Sequence, residues 1–233
     1  MTADKGWKFN NNKEKSEVIM LTYTEIRYNA REYLKGKWNN PCALIILIIA
    51  ILNLGISAIP YLGSVVSLVI AGPLALGLAI IFLKLVRGEE ISVEMMFAGF
   101  RDFTRSFTAG VLVIIYVFLW SLLLIIPGII ATFAYSMTFF IMADNPDLSA
   151  NEAIKASKEM MKGHKTELFL LELSFLGWIL LSILSFGIGF LWVASYIYTA
   201  EAIFYHEIKG EAIAEPVVDV TFEEVVSKPL EEE

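Results

Sequence analysis

The sequence is poor in cysteine, histidine and charge. Cys42 is the single cysteine among 233 residues, which excludes an intrachain disulfide. The two histidines do not form the His-Glu-x-x-His spacing of a zinc protease. Only 18% of the residues are charged and 57% are hydrophobic, whereas an ordinary soluble domain is about 25% charged and about 45–50% apolar. This composition excludes a soluble globular enzyme, a disordered chain and a nucleic-acid-binding module.

The sequence also lacks the short motifs that carry catalysis. It contains neither a Gly-rich phosphate-binding loop nor a Gly-x-Ser-x-Gly nucleophile elbow. No nucleophile–base pair or metal-ligand spacing takes their place. We therefore expect no enzymatic activity, no cofactor and no bound metal.

Apolar residues are abundant instead, and they fall in three long runs at 42–86, 109–143 and 168–206. A transmembrane helix needs about 20 residues because it rises about 1.5 Å per residue, so each run is too long for one span. Each run has a Pro/Gly turn signal near its middle, which predicts a helical hairpin. We expect an all-α membrane bundle of six transmembrane helices as three hairpins, with spans at 42–59, 64–86, 109–126, 129–143, 168–184 and 188–206.

The distribution of charge predicts the orientation. Lysines and arginines avoid the three turn signals and lie in the N-terminal segment, at the end of the second span, in the loops between hairpins and in the tail. The positive-inside rule then places both termini in the cytoplasm and the protein in the plasma or inner membrane. The fourth span is short, which leaves open whether the turn at 127–128 lies within the membrane.

Three regions follow from this reading: a polar N-terminal tail (1–21), an integral membrane domain (22–206) and an acidic cytoplasmic tail (207–233). Residues 206–233 hold nine acids and two lysines, a net charge of −7 that equals the formal charge of the whole chain. Such acidity is typical of a solvated terminus, and the alternative is a docking segment for a basic protein partner.

An amphipathic stretch precedes each hairpin. Thr22 with Glu25 and Ser149 with Glu152 have capping-box spacing, and cations follow on one helical face. Helices of this kind lie in the membrane interface and bind anionic lipid headgroups, and the alternative is a groove for a cytoplasmic partner. The cations assigned to the lipid interface are Arg27, Arg31, Lys35, Arg101, Arg105, Lys155, Lys158, Lys162 and Lys165.

Three ionisable residues lie inside the predicted spans, one to two turns from the cytoplasmic end: Lys84, Glu172 and Glu201. An intramembrane charge costs about 2.5–3.5 kcal/mol even on a lenient insertion scale, so each needs a partner, water or a function. These residues form a candidate intramembrane polar site. It is either a structural pair between Lys84 and a carboxylate, or a proton- or cation-coupling site.

Several motifs resemble one family of bacterial membrane proteins. They are AREYLKGKW at 30–38, IPGII at 126–130, ADNP at 143–146 and MMKGHK at 160–165. In combination they resemble the family catalogued as domain of unknown function 975, over roughly residues 23–206. The Ile-Pro-Gly-Ile turn is more distantly similar to the membrane domain of glycerophosphodiester phosphodiesterases, whose catalytic domain has no counterpart here. The resemblance implies a multi-span membrane protein and supplies no activity.

Two functions remain open from the sequence. The missing catalytic motifs, the amphipathic stretches and the acidic tail favour a non-enzymatic membrane scaffold or regulator of the cell envelope. The alternative is a small-solute or lipid transporter that uses Glu172 and Glu201. A similar spacing from Trp120 to Gly128 and from Trp178 to Gly187 suggests an internal repeat, which is common in transporters.

Overall fold

The computed structural model describes residues 21–35, 41–57, 62–185 and 187–211. Every regular element within these ranges is a helix, so the predicted all-α class is confirmed for the described part of the chain. In chain order the elements are α1 (Tyr23–Leu34), α2 (Ala43–Ser57), α3 (Leu62–Val86), a 3-10 helix (Val93–Phe100), α4 (Phe103–Leu123), α5 (Ile125–Tyr135), α6 (Thr138–Asp144), α7 (Ala150–Met160), α8 (Lys165–Ser174), α9 (Leu176–Leu184) and α10 (Phe190–Lys209).

Four helical stretches are long and apolar enough to cross a membrane: Gly63–Val86, Phe103–Leu122, Ile125–Asp144 and Lys165–Leu184. The predicted first span corresponds to a shorter apolar helix, Ala43–Ile56. The predicted sixth span corresponds to α10, which is 20 residues long but ends in polar residues. Four membrane-length helices are therefore established, and the arrangement of six spans as three hairpins stays a prediction.

The reversal between α4 and α5 lies three residues before the predicted one. Leu124 is extended, with φ of −165° and ψ of 152°, and it separates the two helices. Pro127 was expected to end a span, but it lies in the first turn of α5. A proline fits there because the first N–H groups of a helix have no intrahelical partner. The predicted turn at 59–63 falls mostly outside the described residues.

Helix α1 packs lengthwise against α10 in an antiparallel direction. The Leu21 N–H points to the Glu207 carboxylate at 3.5 Å, and farther along both helices the Tyr196 hydroxyl donates to the Arg27 carbonyl at 2.9 Å. The predicted apolar face of α1 is buried, and Ala30 and Leu34 are fully inaccessible. This face packs against protein in the described part of the chain, and the position of α1 at the lipid interface stays a prediction.

Helix α7 is likewise part of the bundle. The buried Ser157 hydroxyl donates to the Ala134 carbonyl of α5 at 3.0 Å, and Ala153 and Met160 are buried on the same helix. The predicted capping boxes at the starts of α1 and α7 are both present. The N-cap residues Thr22 and Ser149 lower the pKa of the carboxyl groups of Glu25 and Glu152, mainly through a hydrogen bond from the N-cap side chain and also through one from the N-cap backbone.

Small residues bring α3, the 3-10 helix and α4 close together. A Cβ atom added at Gly77 would overlap the Met96 carbonyl, and one added at Gly99 would overlap the Pro73 carbonyl. The buried Ser106 hydroxyl donates to the Gly99 carbonyl at 2.9 Å. Such close backbone approach is the way helices associate in membranes, where no hydrophobic effect drives them together.

Large apolar side chains are exposed where helix pairs reverse or end. Examples are Leu54 of α2, Leu122 and Ile125 on either side of the α4–α5 reversal, and Leu184 at the end of α9, all at least 74% exposed. Extended exposed apolar surface marks contact with a membrane or another protein.

Candidate functional site

The three ionisable residues of the predicted intramembrane site lie in two places. The carboxylates of Glu172 on α8 and Glu201 on α10 are close enough to interact electrostatically, and both residues are partly buried. Lys84 instead forms an ion pair with Glu89, just beyond the end of α3. Lys84 therefore pairs with a carboxylate, but with neither Glu172 nor Glu201.

The local backbone explains why Lys84 pairs with Glu89. Gly88 has a φ of 72° and follows the last turn of α3. The Glu89 N–H then donates to the Lys84 carbonyl at 2.9 Å, and the Gly88 N–H donates to the Leu85 carbonyl at 3.1 Å. This is a Schellman cap, which needs a left-handed residue and so favours glycine. The cap turns Glu89 back over the lysine.

A larger charge cluster, which the sequence analysis missed, is centred on Asp144 at the end of α6. The Asp144 carboxylate binds Arg87 Nη2 at 2.5 Å and Lys209 Nζ at 2.7 Å, and it accepts a hydrogen bond from the Tyr205 hydroxyl at 2.9 Å. Its side chain is only 4% exposed. The cluster therefore connects the ends of α3, α6 and α10.

Glu211 extends this Asp144 cluster. Its carboxylate lies 2.8 Å from Lys209 Nζ and 4.0 Å from Arg87 Nη2, and 3.4 Å from Nδ1 of the buried His206. That last contact lacks hydrogen-bond geometry, so both His206 ring nitrogens are unsatisfied within the described part of the chain. Gly210 has a φ of 71° and caps α10 in the same way that Gly88 caps α3.

Residues 207–211 therefore belong to the fold, although the sequence assigned them to the acidic tail. One signal in the sequence pointed to the Asp144 cluster. Arg87, Asp144 and Lys209 each lie within three residues of the end of an apolar run, so hairpin topology brings them to one boundary. Apart from Leu21, the polar N-terminal tail lies outside the described residues, as does the rest of the acidic tail.

Two cations assigned to the lipid interface are bound inside the protein. Arg27 donates to the Ser174 carbonyl at the end of α8 at 3.0 Å. Arg105 donates to the carbonyls of Asn145 and Leu148, each at 3.0 Å, and only 14% of its side chain is exposed. Carbonyls at and beyond a helix C-terminus lack intrahelical partners and attract cations, so these arginines act as caps, and a headgroup contact by either one stays a prediction.

The other interface cations differ in their partners. Lys35 pairs with Glu32 at 2.6 Å, and Lys162 pairs with Glu159 at 2.5 Å, each within one helical turn. Five cations have neither an ion pair nor a side-chain hydrogen bond to any described residue, and so can meet lipid headgroups. These five are Arg31, Arg101, Lys155, Lys158 and Lys165.

Two grooves lie beside the helix pairs that carry the repeated tryptophans. The first, of about 650 Å³, lies between α1, α9 and α10, and Arg31, Trp178, Leu181 and Trp192 contribute to its lining. We call it the Arg31 groove. The second, of about 330 Å³, is formed by α4, α5, α7 and α8 and is lined by residues that include Trp120, Pro127, Lys158 and Lys165. Each groove thus combines a tryptophan with at least one cation that has no ion pair within the described part of the chain.

Comparison with protein families agrees with the motifs in the sequence. A family model described as Protein of unknown function (DUF975) matches residues 20–130 and 122–212. The chain belongs to this family. No curated protein and no solved structure matches the chain. Membership of DUF975 thus covers nearly all of the described helices, and it brings no activity with it.

Proposed function

We propose that this DUF975 protein is a non-enzymatic integral membrane protein that acts as a scaffold or regulator of the cell envelope, anchored in the plasma membrane with both termini cytoplasmic. The observation that carries the proposal is the attachment of Glu211, where the acidic segment begins, to the Asp144 cluster. The segment therefore leaves the bundle from a fixed point rather than from a loose helix end.

The charges of the Asp144 cluster support a structural use. Asp144 is nearly inaccessible and is neutralised by Arg87 and Lys209, so the cluster connects helices instead of presenting reactive groups. A rigid attachment point suits a protein that presents a charged segment to a partner. Complementary charge speeds and selects such encounters. The partner that fits is a basic cytoplasmic protein surface.

The acidic segment is tested by comparing three chains purified from native membranes in mild detergent. One is the full chain, one has the acids beyond Glu211 replaced by their amides, and one has residues 212–233 scrambled with all acids kept. We expect a stoichiometric basic partner in native mass spectrometry with the full and scrambled chains. The amide variant should not retain this partner. High salt should also release the partner from the full chain, because screening weakens exposed charge pairs. Equal recovery of the partner with the amide variant would contradict the scaffold proposal.

The orientation is tested separately. A topology reporter fused after residue 211 should report a cytoplasmic location. A reporter inserted at 186 should report the outer, non-cytoplasmic side of the membrane. The same compartment for both would refute the full crossing of α10 but would leave the role of the acidic segment untouched.

One observation favours a second candidate, a cation-coupled transporter. The carboxylates of Glu172 and Glu201 interact with each other, and neither has an ion-pair partner among the described residues. Two carboxylates that lie close together in an apolar environment attract a proton or a small cation, because both cannot easily carry a charge there. Such a pair is a common element of proton relays.

The transporter is tested by proton uptake into liposomes that contain a pH-sensitive dye. The double variant Glu172→Gln with Glu201→Gln should abolish uptake. The matched control is Glu167→Gln, since Glu167 lies on the same helix but is exposed and contacts His164 at 2.7 Å. Uptake at the same rate in the wild type and the double variant would remove this candidate.

A further inference from the structure

The Arg31 groove has the polarity of an amphiphile, with one cation on walls that are otherwise apolar. We propose that it binds one anionic phospholipid from the surrounding bilayer, with the phosphate on Arg31 and an acyl chain along Trp178 and Leu181. This goes beyond the general headgroup contacts of exposed cations, because it assigns a single lipid to a defined site. It is independent of the role of the acidic segment.

The cation of the groove is available for a ligand. Arg31 is exposed and has no ion pair or side-chain hydrogen bond to any described residue. Arg27, one turn earlier on the same helix, is already bound to the Ser174 carbonyl. A guanidinium group matches a phosphate because its planar N–H groups can donate two parallel hydrogen bonds. Arg31 is therefore the anion-binding end of the groove.

The remaining wall suits a hydrocarbon chain. Trp178, Leu181 and Leu184 are 47%, 56% and 79% exposed, so the groove opens onto apolar surface. The hydroxyls of Ser182 and Ser185 donate to backbone carbonyls, each at 2.8 Å, and so present little unsatisfied polarity. The volume of 650 Å³ falls in the range of ligand pockets, about 300–1,000 Å³.

The groove is held open by contacts between its walls. The Tyr196 hydroxyl on α10 donates to the Arg27 carbonyl on α1, and the Tyr196 ring meets the Phe175 ring edge-to-face with centroids 4.8 Å apart. These contacts fix α1 relative to α10, so the lipid does not have to order the site. A preformed groove keeps the entropic cost of binding low.

Charge selects a phospholipid over the other possible occupants. One carboxylate of the acidic segment could pair with Arg31, but its other carboxylates would lie against tryptophan and leucine and lose hydration without gaining a cation. A second copy of the chain that docked by its exposed apolar side chains would leave Arg31 unpaired. An anionic lipid matches both the cation and the apolar wall of the groove, since its phosphate neutralises Arg31 and its acyl chain covers the wall.

The test is native mass spectrometry of the full chain released from nanodiscs that contain equal amounts of phosphatidylglycerol and phosphatidylcholine. The quantity measured is the difference in retained phosphatidylglycerol between each variant and the wild type, so lipid held elsewhere cancels. Arg31→Gln removes the cation, Arg31→Lys restores charge, and Leu181→Trp fills the groove without changing charge. Lys155→Gln is the matched control, since Lys155 is an exposed cation of α7 that lines neither groove.

We expect the wild type to retain one phosphatidylglycerol, and Arg31→Gln to lower that retention about tenfold or more, as for a lost hydrogen bond to a charged group. Leu181→Trp should also lose the lipid, Arg31→Lys should regain part of it, and Lys155→Gln should keep it. Unchanged circular dichroism confirms that each variant is folded.

Three results would overturn the proposal. One is equal retention of phosphatidylglycerol by Arg31→Gln and the wild type. Another is equal retention of phosphatidylcholine and phosphatidylglycerol by the wild type. The third is a lipid-free dimer that Arg31→Gln dissociates, which would make the groove an interface between copies of the chain.

Discussion

Replacing Asp144 by asparagine isolates the charge of the cluster that joins three helix ends. Asparagine keeps the shape of the side chain and an oxygen that can accept the Tyr205 hydrogen bond. It removes the negative charge between Arg87 and Lys209, which lie 2.5 and 2.7 Å from the carboxylate. Any loss of stability then reports the ionic part of the cluster.

The expected loss follows from how exposed the two cations are. Removing one partner of a fully buried ion pair costs about 3–5 kcal/mol. Here Arg87 is 32% exposed and Lys209 is 16% exposed, so water recovers part of their solvation. Lys209 also keeps Glu211 at 2.8 Å. We therefore expect Asp144→Asn to lower the free energy of unfolding by about 2–3 kcal/mol.

The assay is unfolding by sodium dodecyl sulfate in mixed micelles, followed by circular dichroism. Asp147→Asn is the matched control, because Asp147 is an exposed aspartate just after α6 and its loss should stay within about 0.5 kcal/mol. A double-mutant cycle with Arg87→Gln should give a coupling of about 1 kcal/mol or more between the two sites. If Asp144→Asn destabilises no more than Asp147→Asn, the ionic cluster does not hold the helix ends together.

Three further predictions concern packing and caps. Gly99→Ala should lower the free energy of unfolding by about 1–3 kcal/mol, because the added Cβ would overlap the α3 backbone. Gly177→Ala is the control and should leave stability unchanged, since that position is open. Equal melting temperatures for the two variants would contradict the close packing. Arg105→Gln should lower the melting temperature in detergent, because it leaves partly buried carbonyls without a donor; an unchanged value would refute this capping role. Hydrogen bonds from Ser149 lower the pKa of Glu152, so the α7 cap stabilises above the ordinary carboxyl range and is lost as pH falls through the lowered pKa. A pH series of melting temperatures should therefore fall more steeply in acid for the wild type than for Ser149→Ala, and identical curves would show that the cap contributes nothing.

The local features of the fold were predictable from short stretches of sequence. Both capping boxes and the amphipathic pattern of α1 follow from residues within one or two turns of each other, and the family membership follows from short motifs along the chain. The turn before α5 was misplaced because proline stops a helix but also fits its first turn. Sequence alone does not separate these two roles when the flanking residues are all apolar.

The partners of the charged residues were less predictable. Lys84 was expected to meet a carboxylate from another span, and it pairs with Glu89 because the cap at Gly88 reverses the chain. Arg105 was expected at the lipid surface, and it binds carbonyls beyond the end of α6. Long cationic side chains reach several candidate partners, and only the packing of the helices selects one.

The sequence by itself determined the helical class, the apolar runs and the capped amphipathic helices, because these depend on periodicity and on contacts between near neighbours in the chain. The tertiary structure decided what those helices face. It placed α1 along α10, gathered Arg87, Asp144 and Lys209 into one cluster, and left Arg31 in a groove with Trp178 without an ion pair to any residue in the described ranges. Such contacts join residues far apart in the chain, and their energies depend on burial and distance that exist only once the helices have packed.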